Sequence, residues 1–158
     1  MTKPIKIMVI TFVLLGILAA AFFLWLAKSI GEVDVPSTKN NYVINFEELN
    51  EKVYVKAKAW GLAGNNEEII LSASPISDEH KAYSKDECFI FYTSEVYYKK
   101  KDTNTLLIYV DYKSKIPPNL STKIKIVQIQ MKDNAEIQDY RKNYEKYGLS
   151  KISIYKDK

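Results

Sequence analysis

His80, Cys88 and Arg141 are each the only residue of their type among 158, and they limit the chemistry this chain can do. A single histidine excludes His–His metal sites, and a Ser-His-Asp or Cys-His relay would have to run through His80 itself. His80 sits in Asp78-Glu79-His80-Lys81, within a polar stretch from Ser74 to Glu87 that reads as a long solvated loop. A single cysteine excludes an intrachain disulfide and a paired-cysteine zinc site. Cys88 opens the apolar run Cys88-Phe89-Ile90-Phe91-Tyr92 and reads as a small buried hydrophobe. One arginine argues against bidentate carboxylate or phosphate clamps. Gly61 and Gly64 lack the following Gly-Lys-Ser/Thr of a phosphate loop and lie between strands. The pairs Glu47-Glu48, Glu67-Glu68, Asp78-Glu79 and Asp86-Glu87 suggest glycosidase carboxylates, but neighbours on a strand point to opposite faces. No catalytic residues, no metal site and no cofactor are expected, so the domain reads as non-enzymatic.

Aromatic residues are the more informative excess. All 12 tyrosines follow residue 41, and Trp60 is the only tryptophan in that part of the chain. Exposed aromatic clusters mark protein or carbohydrate binding surfaces. Tyr54 and Trp60 share one face of an alternating strand, Asn65 lies in the turn that follows, and Tyr97 and Tyr109 belong to a second hairpin. These five form the candidate binding surface. The competing reading places tyrosine rings in a small β core with their hydroxyls at its rim.

The elements that position them are mostly strands. Residues 53–60 alternate, with Val53, Val55, Ala57 and Ala59 against Tyr54, Lys56, Lys58 and Trp60. Gly61-Leu62-Ala63-Gly64-Asn65-Asn66 is a turn, and residues 68–72 return as a hairpin partner. Residues 42–46 and 88–93 are further strands. Residues 95–99 and 105–112 form a second hairpin around a Lys-rich tip, read as solvated. Ile116-Pro117-Pro118-Asn119 breaks the sheet. In residues 123–131 the apolar positions change phase between Ile126 and Val127, which suggests a bulge. One helix is well marked: Asp133 as N-cap with Glu136 three residues on, Ile137, Tyr140, Tyr144 and Tyr147 on one side, and Gly148 at the end. Residues 150–155 close the chain as a short strand. The expected fold is mainly β: a small antiparallel β-sandwich or open barrel, with one C-terminal α-helix before the final strand.

The start of the chain is of another kind. From Ile7 to Ala27 there is no charge, and only Thr11 and Gly16 fall outside the hydrophobic set. About 20 apolar residues suffice to cross a bilayer. Lys3 and Lys6 precede the stretch, Trp25 sits near its outer end, and Lys28 closes it. This predicts an N-terminal transmembrane helix acting as an uncleaved signal-anchor. The lysine bias puts the N-terminus in the cytoplasm and the domain outside. Ala19-Ala20-Ala21 offers a cleavage site, but Phe22 to Leu26 prolong the apolar run beyond a signal-peptide core. The organisation is then an anchor (1–28), a juxtamembrane linker (29–41) and a β-rich extracytoplasmic domain (42–158).

The anchor also explains the charge. The formal net charge is +4, yet 20 of the 23 basic residues and all 19 acids follow residue 28, leaving +1 on the domain. Nucleic acid is not an expected partner. The layout is similar to that of small bacterial envelope proteins. The expected function is a single-pass protein of the plasma (inner) membrane that binds a protein partner in the cell envelope. Alternatives are a small-molecule or glycan ligand at the Trp60–Asn66 turn, or an envelope immunity or inhibitor role.

Overall fold

A computed structural model describes residues 15–25, 38–61, 66–76 and 84–155. The chain divides into two units, Met1–Val35 and Pro36–Lys158.

In the first unit, residues 15–25 form helix α1, and every one of them is exposed. Leu15, Ile17, Leu18, Phe22, Phe23, Leu24 and Trp25 point outward in all directions around it. Among the described residues no helix is long and apolar enough to cross a membrane. The expected span extends past both ends of α1, and Lys3, Lys6 and Lys28 lie outside the described residues.

Among the described residues the second unit holds eight strands. β1 (Thr38–Phe46), β2 (Glu51–Trp60), β3 (Asn66–Ser72) and β4 (Cys88–Phe91) form one antiparallel sheet in that order. β5 (Glu95–Lys100), β6 (Thr105–Val110), β7 (Lys125–Gln130) and β8 (Ser150–Ser153) form the other, ordered β7-β6-β5-β8. Ile44, Val55, Leu71 and Phe91 from the first sheet meet Val96, Ile108 and Ile152 from the second in one apolar core. Burying each such side chain contributes about 1.5–3 kcal/mol. The mainly β sandwich with a C-terminal helix and a last short strand is therefore present.

Three details differ from the sequence expectation. The second sheet is mixed, because β6 and β7 run parallel. A parallel neighbour needs a long crossover; residues 111–124 supply it, carrying Pro117 inward. The phase change near Ile126-Val127 is not a bulge, since β6 and β7 pair residue for residue from Thr105↔Lys125 to Val110↔Gln130. Instead β7 is covered on both faces. Ile124 and Ile126 face the sandwich core, and Ile129 packs with Tyr109 beneath helix α2 (Asn134–Asn143). Lastly, β1 begins at Thr38, inside the stretch read as linker.

Helix α2 follows the sequence signals closely. The Asp133 carboxylate accepts from the Glu136 amide at 2.9 Å. Glu136 accepts from the Lys132 amide, one residue before the cap. A 3-10 turn (Tyr144–Tyr147) tightens the end, and Gly148 closes it at φ 64° with Leu149 donating to the Tyr144 carbonyl at 3.0 Å. The left-handed conformation suits glycine.

The open sides of the sandwich are stitched by side chains. Asn40 donates to the Ser153 and Ile154 carbonyls (3.2 and 2.6 Å), and Tyr42 donates to the Ser153 carbonyl at 2.6 Å. On the other side the Ile90 amide of β4 donates to Ser114 Oγ at 2.9 Å, and Ser114 is held by Gln128 of β7. Edge groups that would otherwise template further strands are thus satisfied within the fold.

Candidate functional site

The five expected surface residues separate into distinct places. Tyr97 and Tyr109 are only 1% and 8% exposed. With Leu149 they form a second small core under α2, where Tyr97 packs against Tyr140 and Tyr144 at ring-centroid distances of 6.3 and 5.6 Å. They belong to the interior, because the outer face of the second sheet is roofed by the helix. Tyr54 is half-buried and lines a shallow cleft with Val43, Pro75 and Ile76. Asn65 and His80 lie outside the described residues. Trp60 remains at the surface, on the last position of β2.

Around Trp60 the local structure is tightly built. Its strand neighbour Lys58 is buried, pairs with Glu68 at 2.7 Å and places its ammonium 4.9 Å from the Trp60 ring centre. Glu67, the next residue on β3, points the other way and accepts from the Tyr155 hydroxyl at 2.8 Å. The adjacent acids thus diverge, as alternation demands. Gly61 sits at φ 97°, and a Cβ there would lie 2.9 Å from Asn66 Nδ2, so chain reversal brings the backbone directly against Asn66.

Two clefts meet at this end of the sandwich. Trp60, Asn66, Glu67 and Tyr92 line one of about 300 Å³. Tyr92 also lines a second, of about 230 Å³, with Phe91, Thr93, Asp111, Tyr112 and Lys113. Tyr92 and Tyr112 are 73% and 81% exposed. Neither is among the five surface residues expected from the sequence. The signal was present for Tyr92, which keeps the outward phase of Cys88 and Ile90; Tyr112 continues the inward phase of Leu106, Ile108 and Val110 in the sequence, but β6 ends at Val110 and leaves it exposed.

Asp111 lies near a charged pair. Arg141 on α2 pairs with Glu95 at the start of β5. The Tyr97 hydroxyl lies beside that pair, shut off from water and without hydrogen-bond geometry to any group. Burial pushes its ionisation well above the usual tyrosine range, and Glu95 adds to the shift. Burial likewise raises the Asp111 carboxyl; Arg141 pulls it partly back and Glu95 pushes it up again. The sole arginine is therefore a structural partner of Glu95 that also faces Asp111.

A larger cleft of about 480 Å³ lies between the β1–β2 turn and the β5–β6 tip, lined by Phe46, Glu47, Glu48, Lys100, Asp102 and Thr103. Its groups are committed locally. Lys100 lies 5.1 Å above the Phe46 ring, and Asp102 accepts from the Asn104 amide at 3.1 Å to form the tip. Among the described residues no group of three or more His, Cys, Asp or Glu is placed to hold a metal. Cys88 is buried, and burial pushes its thiol up while Ser72 draws it partly down.

Among the described residues, the two small clefts that share Tyr92 combine aromatic rings with carboxylates. No family model matches the chain, and no curated protein or solved structure does.

Proposed function

We propose that this chain is a single-pass membrane protein whose β-sandwich is held outside the cytoplasmic membrane and binds, without catalysis, a partner in the cell envelope. The observation that carries the reading is helix α1, apolar around its whole circumference and exposed at every residue. A helix hydrophobic on all sides is stable in a protein core or a bilayer. Around it the sequence continues uncharged from Ile7 to Ala27, long enough to span. Lys3 and Lys6 before it and Glu32 and Asp34 beyond Lys28 support an inside N-terminus. The sandwich supports a binding role through the accessible clefts around Trp60 and Tyr92.

Alkaline carbonate extraction tests the anchor. The full-length chain is expected in the pellet; a soluble species about 2 kDa lighter, the size of a removed leader of some 20 residues, would overturn it. In-cell crosslinking followed by purification tests the partner. Recovery of no specific envelope component, together with substrate turnover by the purified chain, would sink the binding role.

A further inference from the structure

We propose that the two clefts sharing Tyr92 form one groove for a neutral oligosaccharide, with a sugar ring seated in each. This deepens the binding role proposed above and rests on that reading only for where the ligand is met.

Three features favour a saccharide. The first is the mixed lining. Trp60 and Tyr92 share one cleft with Asn66 and Glu67, and Tyr92 and Tyr112 share the other with Thr93 and Asp111. A pyranose has an apolar CH face and a rim of hydroxyls. It stacks on the rings and donates to the polar groups.

The second feature is size. Volumes of about 230 and 300 Å³ sit at or below the lower end for drug-sized ligands, which suits one ring per cleft. The third is rigidity. Lys58, locked to Glu68, sits at the Trp60 ring, and Tyr155 fixes Glu67. Walls set in advance lower the ordering cost of binding a weakly held, polar ligand. Among the described residues Lys113 is the one basic side chain lining either cleft, too little for a polyanion.

The test uses the full chain in detergent micelles, with chitotetraose, cellotetraose and maltotetraose as probes, read by saturation-transfer NMR and calorimetry. At least one probe is expected to bind saturably with Kd below about 1 mM. Tyr92→Ala and Tyr112→Ala are each expected to weaken it about tenfold or more, the loss of one stacked ring. Both side chains are largely exposed, so thermal unfolding should not move, and Tyr54→Ala serves as a control outside the groove. No binding by any probe, or binding that ignores both substitutions, overturns the proposal. If either substitution lowers the unfolding temperature, Tyr92→Phe and Tyr112→Phe replace it, and they must keep binding. A chain that pellets in carbonate yet binds no probe refutes the groove and spares the anchor.

Discussion

Replacing Tyr97 with phenylalanine should make this protein more stable. The ring is 1% exposed and wedged against Tyr140 and Tyr144, so its shape must be kept. The hydroxyl is another matter, because it is buried beside the Glu95–Arg141 pair with no hydrogen bond. Burying such a group unsatisfied costs about 1–3 kcal/mol. Nearby charge recovers part of that through the O–H dipole, so Tyr97→Phe should gain about 1 kcal/mol. For a domain of this size that raises the Tm by about 3–6 °C. Thermal unfolding of the full chain followed by near-ultraviolet circular dichroism reads the shift. Tyr97→Ala, which removes the ring as well, should instead lose about 3–5 kcal/mol. A Tyr97→Phe protein that melts lower than the parent would refute the reasoning, since the hydroxyl would then be making a net favourable interaction with Glu95 or Arg141.

Other perturbations follow from the same geometry. Asp133→Ala removes the α2 cap and should cost about 1 kcal/mol, recovered by Asp133→Ser, in urea unfolding. Lys58→Met leaves the Glu68 carboxylate buried without its ammonium and should cost about 3–5 kcal/mol, while the double change Lys58→Met with Glu68→Leu regains most of it. The Asp111 carboxyl is raised in the folded state, so folding binds a proton more tightly there. Stability from this group grows as pH falls through its folded value and is complete below the ordinary 3.8; Asp111→Asn should flatten that part of a Tm–pH profile and raise the Tm at neutral pH. The Cys88 thiol, buried and raised, should react with a maleimide only as fast as the domain opens, so labelling at neutral pH that is already complete in the folded protein would contradict its placement.

Much of the sandwich was legible because alternation and caps are local. The β2–β3 and β5–β6 hairpins and the Asp133 cap all depend on residues a few positions apart. What escaped depends on what covers a face. Lys56 and Lys58 fall on the face opposite Val55, Ala57 and Ala59, yet both are buried, and Lys58 gains Glu68 from the neighbouring strand. Tyr97 and Tyr109 read as surface because the helix that roofs them lies some thirty to forty residues onward in sequence. Ile126 and Val127 suggested a bulge because a strand partly covered on both faces has no wholly polar side to set its phase. The accessible clefts were half legible. Trp60 and its turn stood out by type, whereas Tyr92 and Tyr112 fall inside the strands expected over 88–93 and 105–112 but lie just past the ends of β4 and β6, where the chain leaves the sheet.

The bonds from Asn40 and Tyr42 to Ser153 and Ile154 join residues 111–114 positions apart. Such a junction can form only after nearly the whole domain has been made, and closing so long a loop is slow compared with forming a hairpin. The two sheets can therefore begin from their local hairpins, but the seam between first and last strand has to wait for both ends of the domain. Until then the unpaired edges of β1 and β8 stay open to neighbouring chains. Loss of the last few residues would leave a species with both hairpins formed and the seam missing, prone to exchanging strands with a second copy.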